Sequence, residues 1–265
     1  MSTESLSQVI ARLKSSPLIS GIFLTGSTTT GISTSSDIDL VIITKKGANE
    51  VRSIYTEIEK HFADIFFFDV DFIERLQSAK EVSANDFQGM FTTWLGQGRI
   101  EYDPLNILHQ LQDRVTQHGI TQTISETEKL DAWVKVNYSL IANKRYFASE
   151  QSVYHQALEV RLLYSVTELL TTYFVLRDQP WRGEKKAVEY LARQDREYWG
   201  AFEGFLRSTD LPSKMKSYLE LFQRTLNNQY PEWNQDFIIP VDTHGHYKKS
   251  LETVWSNLLE KEKSE

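Results

Sequence analysis

The chain has 265 residues, 40% of them hydrophobic, with a formal net charge of −7 and no cysteine. That length and apolar content suffice for one large domain or two modest ones with real cores. The missing cysteine excludes structural disulfides, thiol catalysis and Cys-ligated zinc, and the negative charge argues against extensive contact with a phosphate backbone, so nucleic acid is not an expected partner.

In chain order, Leu6, Val9, Ile10 and Leu13 recur at helical spacing, and residues 19 to 25 and 38 to 44 read as strands. Lys45-Lys46-Gly47 breaks the second strand from a helix marked by Val51, Ile54, Ile58 and Phe62, after which Ala63-Asp64-Ile65-Phe66-Phe67-Phe68 is a further β-type run. Helices are expected over 71–79 and 87–95, then a closing strand, Arg99-Ile100-Glu101-Tyr102. Residues 116 to 125 are polar and turn-prone, and Ser125 with Glu128 has the form of a capping box.

Beyond that point strand signals nearly vanish. Leu130, Trp133, Val134, Tyr138 and Ile141 mark one long helix and residues 153 to 176 a second, with more over 183–207, 213–228 and 248–262. Prolines 180, 212 and 231 fall between them. The expected fold class is α+β, with a mixed sheet carrying helices over residues 1–118 and an α-helical bundle over 125–265. The aromatics Trp133, Tyr138, Tyr146, Tyr164 and Tyr173 are expected to fill the helical core.

Chemistry concentrates where the first strand ends in Gly26-Ser27 and the second opens with Asp37-Ile38-Asp39. Residues i and i+2 of a strand share a face roughly 6.6 Å apart, so Asp37 and Asp39 present two carboxylates side by side while Ile38 turns away. Two hard oxygen ligands suit Mg²⁺, which takes one or two protein carboxylates and fills its other positions with water and substrate phosphate. Gly26 permits close backbone approach and Ser27 adds a hydroxyl donor. The competing reading is a Ser/Thr loop with Asp37 merely capping its end. Asp39 resists that reading, because a carboxylate inside an apolar strand needs a cation or a partner.

The sequence of apolar strand, Gly-Ser, polar loop and Asp-x-Asp resembles the signature of nucleotidyltransferases of the DNA polymerase β type. The resemblance implies that Gly26 and Ser27 hold the nucleotide phosphates, that Asp37 and Asp39 bind metal, and that a later strand supplies a third carboxylate, taken here as Asp64. Asp69 and Asp71 compete for that role, but each lies where a turn or helix cap equally favours Asp. With a helical second half at this chain length, the layout resembles bacterial aminoglycoside and lincosamide nucleotidyltransferases. The resemblance thus implies transfer of a nucleoside monophosphate, from ATP and with Mg²⁺, to the hydroxyl of a small molecule. The helical domain would then bind the acceptor. Net negative charge favours a cationic acceptor, and a homodimer is compatible.

The general base is open between Asp64 and a helical-domain glutamate, Glu168, with Glu159 behind it, and Glu168 equally fits an exposed helix face. Lys185 or Arg182 can meet the triphosphate, though adjacent lysines equally suit a solvated face. His244-Gly245-His246 lacks companion ligands and reads as a surface turn rather than a zinc site. A protein or RNA acceptor, or a non-catalytic nucleotide-binding or antitoxin-like module, are the alternatives. No apolar run spans a bilayer and Met1-Ser2-Thr3-Glu4 lacks a signal peptide's basic and apolar regions, so a cytoplasmic location without a membrane partner is expected.

Overall fold

The computed structural model describes residues 4–29, 31, 36–48, 51–233 and 251–260. The chain forms two compact units, residues 1–123 and 124–265.

The first unit opens with helix α1 (Leu6–Lys14), started by Ser5, whose hydroxyl accepts the Gln8 N–H while the Gln8 side chain accepts that of Ser5. Strands β1 (Ile19–Thr25), β2 (Ile38–Thr44), β3 (Ser53–Ile58), β4 (His61–Asp69) and, after two helices, β6 (Arg99–Tyr102) form a mixed sheet in the order β3-β4-β2-β1-β6. Strands β2 and β4 are parallel; the other neighbours are antiparallel. Helices α2 (Val70–Ser78), α3 (Phe87–Gln97) and α4 (Ile107–Thr116) cover one face, where Phe23, Val41, Ile43, Phe91 and Leu108 are fully buried. On the other face α1 packs over Ile22, Leu24, Leu40 and Ile42. Because β1 and β2 are covered on both sides, Ile22-Phe23-Leu24 and Leu40-Val41-Ile42-Ile43 read as continuous apolar runs rather than alternating ones. A second, two-stranded sheet pairs β5 (Glu81–Ser83) with β7 (Thr121–Thr123) in parallel.

Between β2 and β4 the expected helix is instead β3, an edge strand hairpinned to β4. Val51, Ile54, Ile58 and Phe62 do fall at helical intervals, but Ile54-Tyr55-Thr56 is β-branched and aromatic, and Glu59 and Lys60 both take positive φ, 51° and 65°. Two left-handed residues make the tight hairpin turn whose twist matches paired strands. The polar stretch before Ser125 likewise contains β7, and α4 lies in a segment where no helix was expected.

The second unit is helical: α5 (Glu126–Phe147), α6 (Ser152–Val175), α7 (Glu184–Gln194), α8 (Arg196–Arg207), α9 (Leu211–Leu226) and α10 (Leu251–Glu260). The Ser125–Glu128 capping box starts α5. The helix expected over 183–207 is two, because Asp195 leaves helical geometry at φ −140° and its side chain accepts the Tyr198 N–H to start α8. Trp133, Leu158, Leu169, Tyr173, Tyr198, Tyr218 and Phe222 build the core. Tyr146 packs at its margin, while Tyr138 and Tyr164 are 64% and 41% exposed and so do not fill it. Among the described residues no helix is long and apolar enough to cross a membrane.

Candidate metal and nucleotide site

Asp37 immediately precedes β2, Asp39 is its second residue, and Asp64 on β4 stands level with Asp39 across the parallel ladder. Level residues on adjacent strands share a face, so sheet pairing itself brings Asp64 to the Asp-x-Asp pair. Each of the three offers a carboxylate oxygen within 4.8 Å of the others. Ile38, between the first two, is fully buried on the opposite face with the α1 layer.

Gly26 begins the 3₁₀ turn Gly26–Thr29 after β1, opposite this pair. Its φ is +61°, and a Cβ placed there would run into the Asp39 carboxylate. Both the left-handed conformation and the close approach therefore demand glycine. The turn is tied to β2: Ser27 Oγ and Thr28 Oγ1 donate to the Asp37 carbonyl at 3.3 and 3.4 Å, and the Asp39 N–H donates to Thr28 Oγ1 at 3.0 Å. Two loop hydroxyls thus bond the Asp37 backbone carbonyl. Thr28 was not singled out in the sequence, where it is one hydroxyl residue among several.

Burial first, then the charges of Asp37 and Asp64, push the Asp39 carboxyl up to about 6. Burial and then Asp37 raise Asp64 as well. The Asp64 Oδ1 is buried without a hydrogen-bond partner, and no lysine or arginine pairs with any of the three among the described residues. A crowded carboxylate set in which Asp39 and Asp64 resist ionisation and Asp64 has an orphaned oxygen is a donor set that a hard divalent cation satisfies.

Other candidates have different engagements. Asp69 caps α2 by accepting the Phe72 N–H, and Asp71 pairs with Lys46 at 2.6 Å. Glu168, on α6 of the second unit, accepts from the Ser139 hydroxyl at 2.9 Å and lies 3.3 Å from Lys135 Nζ. Glu159 pairs with Lys214. Lys185 is exposed in the first turn of α7, and Arg182 is half-buried, its guanidinium shifted down by burial. His244 and His246 lie outside the described residues.

A mixed sheet with a carboxylate triad at strand level, faced by a glycine-started turn, is an arrangement that could hold a metal ion for phosphoryl chemistry. The family described as "Polymerase beta, Nucleotidyltransferase" matches residues 7–88, from α1 to the start of α3 and including the whole triad. The chain therefore carries a nucleotidyltransferase domain of the polymerase β superfamily. A crystal structure of a nucleotidyltransferase-like protein from Exiguobacterium sibiricum is similar to it at 12% identity and a TM-score of 0.45, over 85% of this chain and 74% of that one. No curated protein matches the sequence.

Proposed function

We propose that the protein transfers a nucleoside monophosphate from ATP to a hydroxyl of a small molecule, with Mg²⁺ held by Asp37, Asp39 and Asp64. The observation that carries this is the convergence of those three carboxylates, one with an unpartnered oxygen, beside a turn that admits only glycine. Bound Mg²⁺ would supply charge stabilisation to the attacking and leaving oxygens of an in-line displacement. Gly26 and Ser27 form the phosphate-side wall, with the glycine clearing space for close approach. In the step itself the acceptor oxygen bonds to the α-phosphorus, the bond between that phosphorus and the bridging oxygen breaks, and pyrophosphate departs. The acceptor's proton passes to a carboxylate oxygen of Asp64. From the second unit, Glu168 is the alternative base and Lys185 the candidate phosphate ligand; within its own unit Glu168 accepts from the Ser139 hydroxyl. The helical unit, residues 125–265, is assigned a share in acceptor binding, and the protein a cytoplasmic location.

The test is incubation of the full chain with ATP labelled at the α-phosphate, with and without Mg²⁺. Hydroxyl-bearing small molecules, including aminoglycosides and lincosamides, are offered beside protein and RNA acceptors. Label should pass to a small molecule with release of pyrophosphate, only with metal, and not with Asp39→Asn. Label on protein or RNA would move the acceptor class. Absence of Mg²⁺-dependent ATP binding would overturn the assignment of the triad.

A further inference from the structure

Along the sheet edge a trough of about 410 Å³ opens over β3 and β4 toward α2 and the start of α3. Tyr55, at one end, pairs with Asp64 across the β3–β4 ladder, and directly paired residues of antiparallel strands share a face. Phe66, two residues beyond Asp64, lies on that face too. The trough thus begins beside the triad and leads away from it over Phe66, Phe68 and Phe72 to Arg52 and Phe87. Tyr55 stacks on Phe62 yet remains 62% exposed, and Phe87 is 43% exposed.

Among the described residues, the only charged side chain lining this trough is Arg52. The Arg52 guanidinium lies 4.4 Å from the centre of the Phe87 ring and makes no ion pair among the described residues. A guanidinium resting on an aromatic face keeps its in-plane N–H groups for a carboxylate, which it receives in a two-pronged geometry. A continuing depression of about 360 Å³ leads on to Thr44, Asp69 and Arg75, and the Asp69 carboxylate there is engaged by the Phe72 N–H.

Sheet order decides which substrate the trough serves. Strand β1, with the Gly26–Ser27 turn at its end, flanks β2 on one side, and β4 and β3 flank it on the other. With the phosphates on the Gly26–Ser27 side, as in the function proposed above on which this inference rests, the trough borders the acceptor side of the triad. We propose that it is the acceptor subsite and takes a small molecule with a flat apolar body and a carboxylate, which Arg52 receives. A guanidinium without an ion pair among the described residues puts a local cation at the far end of an apolar trough, so the net charge of −7 does not dictate a cationic acceptor.

The experiment titrates the full chain with 4-(hydroxymethyl)benzoate, with its cationic counterpart 4-(hydroxymethyl)benzylamine, and separately with Mg·ATP, following binding by NMR shifts. Wild type should bind the benzoate and prefer it to the benzylamine by about tenfold, the worth of a charge-assisted pair. Arg52→Gln should remove that preference and Tyr55→Ala should weaken benzoate binding, with Mg·ATP affinity unchanged in both. Arg52 and Tyr55 are exposed, so both variants should fold, as melting curves will show. No detectable benzoate binding by wild type, equal binding of the two probes, or benzoate affinity indifferent to both substitutions would overturn the proposal. So would loss of Mg·ATP affinity in Arg52→Gln, which would make the trough part of the nucleotide site. Failure of the underlying triad assignment shows separately, as Mg·ATP binding that is the same in wild type and Asp39→Asn.

Discussion

At the scale of single residues, the proposed function makes Asp39 a metal ligand, and its burial gives it a cost. Asp39→Asn should lower transfer by about a thousandfold, roughly 4 kcal/mol of transition-state stabilisation, in an initial-rate assay, while circular dichroism stays unchanged. Without metal the same residue opposes folding. Its carboxyl is raised to about 6 in the folded chain, so between the unfolded value near 3.8 and that point the folded state binds more protons than the unfolded one. The penalty is therefore absent below about pH 4 and grows as pH rises through 6. In EDTA, Asp39→Asn should be more stable than wild type at pH 8, on the order of 1 kcal/mol after discounting for its partial exposure, and the two should converge at pH 4. Denaturant midpoints at the two pH values measure this, and an equal difference at both would remove the electrostatic explanation. Asp37 and Asp39 were legible in the sequence because i, i+2 spacing is a local geometric fact. Asp64 was legible only as an acid in a β-type run, since its level with Asp39 is set by pairing between distant segments. Thr28 was not legible, because nothing local distinguishes the hydroxyl that receives the Asp39 N–H.

At the scale of elements, apolar spacing identified the strands buried on both faces and the long helices, yet mistook β3 for a helix. Four apolar residues near a 3.6 period outweighed the β-formers between them, and the turn carries Glu59 and Lys60 rather than the Asn-Gly that advertises a tight hairpin. That unusual turn makes the correction testable. Left-handed geometry costs a non-glycine residue roughly 1 to 2 kcal/mol, so Lys60→Gly should raise stability by about 1 kcal/mol once the glycine's own entropy is subtracted. In a helix the same change would lower stability by about 1 kcal/mol. Urea unfolding of the two chains decides by its sign alone. The hairpin also matters for the proposed acceptor subsite, because it sets Tyr55 beside Asp64 and Arg52 at the far end. The division of α7 from α8 was missed for a related reason: Asp195 interrupts a continuous helical period, and its capping bond to Tyr198 cannot be read from spacing.

At the scale of the whole molecule, the change from alternating strands and helices to helices alone was visible in the sequence. What the sequence could not supply was the trough proposed for the acceptor, because a depression assembled from β3, β4, α2 and α3 exists only after pairing. Each unit has its own buried clusters: two flank the sheet of the first, and one built from α5 to α9 lies in the second. Calorimetry should accordingly resolve two unfolding transitions rather than one. Leu169 is fully buried in the helical core, and Leu169→Ala should destabilise the transition of that unit by about 2 to 5 kcal/mol. Mg·ATP should instead raise the other transition, through the triad, by an amount that grows with the logarithm of ligand concentration. Combining the two gives the decisive measurement, since in the Leu169→Ala chain the Mg·ATP-induced rise should match that of wild type. A rise abolished by Leu169→Ala would show that the nucleotide is held by the helical unit as well, and the role assigned to Gly26, Ser27 and the three aspartates would have to be shared with it.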